Sequence, residues 1–229
     1  MNADRKQPSD RPDGSVLGET LPPRVLLVGR PGAGKGTQGI RLAKRLGVQY
    51  FSTGDLLRRE IAAATSLGRA VESVVRSGEL IPTVLMIAIV ESCLSGDGYV
   101  LDGFPRTVEQ AVAVTSHPTI APHRAIEITV PPAVALTRLI ERGRSDDDIA
   151  VVHQRLAVFE AETVPMLRYL ESLGMMRLVD GDDTTLRVAR RVWHECADLL
   201  APTSRSTPWT SDTHPAPGPR SGLGAVAAG

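Results

Sequence analysis

The sequence predicts an α/β fold: a parallel five-stranded sheet with helices on both faces. Three observations predict it. Short apolar runs alternate with stretches of helical periodicity through the middle of the chain, a pattern that builds parallel sheets through crossover helices. The apolar runs are nearly continuous, as strands covered on both faces require. The first run, Val25-Leu26-Leu27-Val28, leads directly into a glycine-rich turn and then into a helical pattern opening at Lys35.

Strands are expected at residues 24–28, 49–52, 98–101, 125–129 and 176–179. Helices are expected at 35–46, 55–64, 68–77, 82–94, 108–115, 132–142, 149–173 and 184–200. Pro165 should interrupt the seventh helix, because it has no N–H to donate. Ligands in such folds bind beyond the carboxyl ends of the strands, and the chemically loaded segments cluster there.

After the first strand comes Gly29-Arg30-Pro31-Gly32-Ala33-Gly34-Lys35-Gly36-Thr37. Gly29, Gly32 and Gly34 let the backbone turn its N–H groups toward one point, where a polyphosphate would sit. The helix starting near Lys35 adds the positive end of its dipole, and Lys35 adds a mobile cation. The match to G-x-x-x-x-G-K-[ST] is one residue off, because Gly36 follows Lys35 and the hydroxyl arrives at Thr37. This is a phosphate-binding loop, and the expected fold is that of the P-loop nucleotide-binding enzymes.

Three further segments carry charge. After the second strand, Ser52-Thr53-Gly54-Asp55-Leu56-Leu57-Arg58 reads as a helix capped by Asp55, with Arg58 one turn in. After the third, Asp102-Gly103-Phe104-Pro105-Arg106 places a carboxylate where magnesium or its bound water is held in phosphate-loop enzymes, with Arg106 past a proline-fixed turn. Gln110 follows one helical turn on, and its amide can pair with both edges of an adenine. Arg138 and Arg142 share a helix face. Gly143 breaks that helix, Arg144 sits in the break, Asp146 or Asp147 can start the next helix, and Arg155 lies about two turns along it. Arginines flanking a glycine break can clamp a transferring phosphoryl group from a movable element; each segment alone is also compatible with a capped turn or a solvated charged face.

Lys plus Arg total 26 and Asp plus Glu total 26, so net charge gives no case for a nucleic-acid partner or a membrane surface. The longest apolar run, residues 84–90, is too short to span a bilayer. Residues 1–13 have no apolar core of the kind a secretory signal needs. Cys93 and Cys196 are the only cysteines, and they fit intracellular thiols better than a disulfide framework or a zinc site. A soluble cytoplasmic protein is the expectation. Residues 1–21 and 201–229 are polar or rich in Pro, Ser and Gly and should be disordered tails, with Trp209 a stray aromatic or a docking anchor. The domain is expected at 22–200.

These segments closely resemble the adenylate kinases, a family of nucleoside monophosphate kinases. The resemblance is carried by residues 29–38, Ser-Thr-Gly-Asp-Leu-Leu-Arg at 52–58, Gly-Glu-Leu-Ile-Pro at 78–82, Asp-Gly-Phe-Pro-Arg-Thr at 102–107, and Gly-Arg-Ser-Asp-Asp at 143–147 with Arg155. It covers about residues 24–200 and implies the reaction Mg-ATP + AMP ⇌ 2 ADP. It also implies a core, an AMP-binding arm at about 53–82 and a lid at about 142–147. Lys35, Arg106, Arg142, Arg144 and Arg155 match the family's catalytic cations. Gly32, Ala33, Gly34, Lys35, Gly36, Thr37, Arg138, Arg142 and Gly181 match ATP-side positions. Thr53, Arg58, Gly78, Glu79, Leu80, Ile81, Gly103, Arg106, Gln110, Arg144 and Arg155 match AMP-side positions, and Asp102 matches the position near Mg2+, reached through water. The resemblance implies ATP, AMP and ADP as ligands, a monomer, and no structural zinc.

Two departures stand out. Only Gly143 separates Arg142 from Arg144, where short-lid relatives carry a few more residues. Arg30 replaces a residue that is small or proline in many relatives; an exposed surface charge and a contact to nucleotide or tail both stay open. A UMP/CMP kinase is the nearest rival, although Thr53 and the stretch Thr107 to Gln110 favour AMP. A nucleotide-binding regulatory protein with weakened catalysis is the rival from another class.

Overall fold

The computed structural model describes residues 21–94, 97–143 and 148–200. The expected C-terminal tail with Trp209, the expected N-terminal tail up to residue 20, and the lid segment 144–147 with Arg144, Asp146 and Asp147 lie outside the described residues.

Five strands form one sheet: β1 (Arg24–Val28), β2 (Gln49–Ser52), β3 (Tyr99–Asp102), β4 (Arg124–Thr129) and β5 (Met176–Asp180). Their order is β2-β3-β1-β4-β5, with every neighbouring pair parallel. The helices are α1 (Lys35–Leu46), α2 (Thr53–Ala62), α3 (Ser66–Ser77), α4 (Thr83–Cys93), α5 (Val108–Thr115), α6 (Pro132–Arg142), α7 (Ile149–Val158), α8 (Val164–Ser172) and α9 (Thr185–His194). The two-residue period of a strand explains why helices cover both faces. Val25 and Leu27 pack with Ile126, Leu42 of α1, and Val188 and Val192 of α9. Leu26 and Val28 pack oppositely, with Leu101, Val90 of α4, Val114 of α5, and Met166 and Leu170 of α8.

Several boundaries differ from expectation for identifiable reasons. Helix α2 starts at Thr53, not at residue 55, directly after β2; the extended Ser52 caps it, its hydroxyl accepting from the Asp55 N–H at 3.2 Å. Asp55 is therefore not the cap. Its carboxylate pairs with Arg58 at 2.5 Å instead. Likewise Asp148 caps α7, accepting from the Ala150 N–H at 2.9 Å, so the cap is not Asp146 or Asp147. The helix expected at 149–173 is three pieces, with a π-helical turn at Phe159–Thr163 between α7 and α8. The Val164 N–H bonds five residues back to the Phe159 carbonyl. Pro165 follows and offers no N–H of its own, and the widened turn accommodates it. The helix expected at 184–200 ends at His194 and gives way to a 3-10 turn, Ala197–Leu200.

Helices α2 and α3 form a hairpin between β2 and α4. They cross so closely at Gly68 that a Cβ there would lie 2.1 Å from the Glu60 carbonyl oxygen. Helix α6 ends on Gly143 in the left-handed conformation, φ 60°, the break that the sequence predicts. No described helix is long and apolar enough to cross a membrane.

Candidate active site

The carboxyl ends of β2, β3 and β1 lie side by side across one half of the sheet. Asp102 lies in register beside Leu27 on one side and Ser52 on the other. A cleft of about 600 Å³ opens above them. Among the described residues six basic side chains line it, Lys35, Arg58, Arg106, Arg138, Arg142 and Arg155, against three acidic ones, Asp55, Glu79 and Asp102.

The glycine-rich turn is held by backbone fit. Gly32 has φ +84°, and a Cβ there would lie 2.3 Å from the Ala135 carbonyl oxygen of α6. Gly34 caps α1 in the left-handed conformation and makes no side-chain cap bond. The first N–H groups of α1 thus keep their donor capacity for an anion. Gly32, Gly34, Gly36 and Thr37 border the cleft, while Ala33 is buried beneath it. The Lys35 ammonium donates to the carbonyls of Gly29 at 2.8 Å and Arg30 at 3.1 Å. Burial lowers the Lys35 pKa; Asp102 opposes that shift, and Arg106 and Arg142 add to it.

The other half is built around Arg106, which follows a cis Phe104–Pro105 bond. Its Nε donates to the Gly103 carbonyl at 2.8 Å, and its backbone N–H donates to Gln110 Oε1 at 2.9 Å. Gln110 is buried, and its Nε2 donates to the Ile81 carbonyl at 3.4 Å. Its amide therefore ties the Arg106 turn to the wall formed by Gly78, Glu79, Leu80 and Ile81. Thr53 is buried and donates to the Asp102 carbonyl at 3.3 Å. Gly103 has φ +89°, and a Cβ there would lie 2.6 Å from the Thr53 hydroxyl. Desolvation lowers the Arg106 pKa, Asp102 opposes it, and Arg155 and Arg58 add to it. Arg106 is ringed by protein, yet its side chain stays open to solvent along the cleft. Desolvation leads the shift and crowding by like charges adds to it, and the guanidinium keeps its proton.

On the far side Arg138 donates twice to the Gly181 carbonyl, both at 3.1 Å, which fixes the β5–α9 loop against α6. The structure thus brings the expected residues around one cleft, apart from Arg144, which lies outside the described residues, and Ala33 and Gly181, which stand just behind the lining. Sequence reading missed Tyr50, Phe159 and Thr163, which also line the cleft. For Tyr50 a signal existed: it stands two residues before Ser52 and so shares its face of β2.

A parallel sheet with a phosphate-binding turn at its centre and a cation-lined cleft above it defines a nucleotide-binding phosphotransferase. A family model described as adenylate kinase matches residues 27–175. An adenylate kinase of Synechococcus sp. (strain CC9902) is 41% identical over 175 residues, spanning 74% of this chain and 96% of that protein. One of Parasynechococcus marenigrum (strain WH8102) is 42% identical over 177 residues, with the same coverage. An "adenylate kinase 1" of Synechocystis sp. is 37% identical over 172 residues, spanning 72% of this chain and 92% of that protein. The chain belongs to the adenylate kinase family and is a nucleotide kinase.

Proposed function

We propose that the chain transfers a phosphoryl group reversibly from Mg-ATP to AMP, giving two molecules of ADP, as a monomeric cytoplasmic enzyme. The observation that carries this reading is the sharing of Asp102. Lys35 from the phosphate loop and Arg106 from the opposite half line the same cleft as this carboxylate and both lie in its field, an arrangement that supports two phosphate sites facing one another.

The ATP phosphates lie on the loop from Gly32 to Thr37, with Lys35, Arg138 and Arg142 around them. AMP lies between Thr53, Arg58, Arg106, Gln110 and the Gly78–Ile81 wall. The arm of α2 and α3 closes over AMP, and the segment from Arg142 through Arg144 to residue 147 closes over ATP. An oxygen of the AMP phosphate attacks the γ-phosphorus of ATP. The bond from that phosphorus to the β–γ bridging oxygen breaks, and the electron pair leaves with ADP. A phosphate oxygen is already nucleophilic, so no side chain need act as general base. The protein aligns the two phosphates and neutralises charge spread over the transferring group. Lys35, Arg106, Arg142, Arg144 and Arg155 do this, and a positioned cation of this kind contributes about 3 kcal/mol. Closure excludes water, which would otherwise compete with AMP as acceptor.

The residues present fit magnesium. Asp102 offers one carboxylate beside the phosphate loop, its Oδ2 accepting from Tyr50 at 3.1 Å. Among the described residues no group of three or more His, Cys, Asp or Glu side chains converges, and Mg2+ takes its ligands largely from phosphates and water. When bound it neutralises charge on the β- and γ-phosphates.

ADP formation from Mg-ATP with AMP, UMP, CMP and GMP in parallel tests the reading. Turnover with AMP alone supports it. Turnover with UMP or CMP moves the acceptor assignment, and ATP binding without turnover would make the chain a regulatory nucleotide binder.

A further inference from the structure

Arg30 belongs to the phosphate loop, yet its side chain does not line the cleft. Its guanidinium lies 5.5 Å from the centroid of the Phe159 ring, and its Nη2 is 3.3 Å from Glu160 Oε1. Both partners belong to the π-helical turn. The Arg30 main chain faces the other way, since its carbonyl accepts from the Lys35 ammonium at 3.1 Å and from the Ala33 N–H at 3.2 Å. The far end of the π-turn is tied in turn to the acceptor side, where the Thr163 hydroxyl donates to the Arg106 carbonyl at 3.0 Å. The helix that enters this turn, α7, carries Arg155.

We propose that Arg30 is a positioning residue, a brace that holds the phosphate loop against the π-turn at Phe159–Thr163. The spacing between Lys35 on one side and Arg106 and Arg155 on the other is thereby fixed. The proposal rests on the phosphoryl-transfer reading above. An exposed ion pair alone contributes little. Here a planar guanidinium also lies over a buried aromatic ring, a combination arginine makes and lysine does not reproduce. The π-turn is where helical regularity is already broken, so a brace there governs how α7 is presented to the cleft.

The test is a double-mutant cycle in the full chain, Arg30→Met, Glu160→Gln and the two together, with kcat and both KM values measured beside thermal midpoints. Half-buried Glu127 also lies in the field of Arg30, so Arg30→Lys serves as the variant that keeps the charge. Arg30→Met should lower kcat by up to about tenfold, short of the roughly 100-fold that a 1 Å misplacement can cost, with both KM values within about twofold. The double variant should be no slower than Arg30→Met, and Arg30→Lys should recover only part of kcat. A raised KM for ATP at unchanged kcat would instead make Arg30 a nucleotide contact. Additive losses would show that residues 30 and 160 act separately, full recovery by lysine would reduce the role to bulk charge, and wild-type kcat would leave only a surface charge. Each of these overturns the brace. A wild-type chain that turns over no acceptor fails the phosphoryl-transfer reading first, and the brace falls with it.

Discussion

The Tyr50 hydroxyl donates to Asp102 Oδ2 at 3.1 Å, linking the edge strand β2 to the carboxylate at the end of β3. The ring lies against the first turns of α1, where two glycines make room for it. A Cβ on Gly39 would fall 2.4 Å from Tyr50 Cε2, and one on Gly36 would fall 3.4 Å from the hydroxyl. Burial and the nearby Asp102 both push the Tyr50 pKa up, so the phenol stays protonated and stays a donor. One oxygen of Asp102 is thereby oriented by a group that never changes charge at neutral pH.

Tyr50→Phe removes that donor and leaves the ring. Loss of one hydrogen bond of this kind costs about 1 kcal/mol, so the fold should survive. Affinity for Mg-ATP should fall several-fold, while affinity for ATP without metal should stay as in the wild type. Calorimetric titration with and without magnesium reads both. Equal weakening of the two would assign Tyr50 to the shape of the loop and not to Asp102.

Arg106→Ala should abolish transfer and leave the fold intact. Arg106 is central to the cleft, with Asp102, Arg155 and Arg58 all in its field. Losing a preorganised charge-stabilising group commonly costs about 100- to 1,000-fold in kcat. Its removal relieves repulsion from Arg155 and Arg58 but also loses the attraction of Asp102 and the bond to Gly103, so the thermal midpoint should shift little. Steady-state kcat with AMP and a melting curve check the pair of outcomes, and wild-type turnover would refute the assigned role.

The phosphate loop, Asp102 and Arg106 were legible because each sits in a contiguous run whose residues declare their chemistry. The strands were legible to within a residue because buried parallel strands are short and uninterrupted. Two kinds of feature were not legible. The choice of Ser52 over Asp55 as cap depends on α2 starting at Thr53, directly on the end of β2, where local propensity alone allowed a start two residues later. The setting of Arg30 depends on partners about 130 residues away. Those partners lie on a π-turn that a 3.6-residue periodicity cannot register, and Pro165 gave only its approximate place.

His123 supplies a pH-dependent contribution to stability. Its Nδ1 accepts from the Arg24 backbone N–H at 3.3 Å, which requires the neutral ring. Burial first, and then Arg24, lowers its pKa from the ordinary 6.5. The folded state thus binds the proton less readily than the unfolded chain. The contribution is present above about pH 6.5 and is lost as pH falls through that value toward the lower folded pKa. Thermal midpoints between pH 8 and 5 should fall more steeply for wild type than for His123→Asn, whose amide oxygen can still accept from Arg24. Parallel curves would assign the acid sensitivity to other groups.

Gly39→Ala sets two effects of similar size against each other. Alanine in a helix interior is favoured over glycine by about 0.8–1 kcal/mol, and Gly39 lies within α1. The added methyl would meet Tyr50 Cε2 at 2.4 Å, Tyr50 Cδ2 at 2.9 Å and Leu27 Cδ1 at 3.0 Å. Leu27 is fully buried, and the Tyr50 ring is tethered through its hydroxyl, so neither yields freely. Overpacking of this kind costs about 1–3 kcal/mol. The clash should win narrowly, lowering the urea midpoint and, by displacing the ring from Asp102, weakening Mg-ATP binding as Tyr50→Phe does. In a Tyr50→Leu background the aromatic edge is gone and only the Leu27 contact remains, so the same alanine should cost less than it does beside Tyr50. A Gly39→Ala change that stabilises both backgrounds equally would show that the ring moves aside at no cost, and that the Tyr50–Asp102 contact is not held by the helix beneath it.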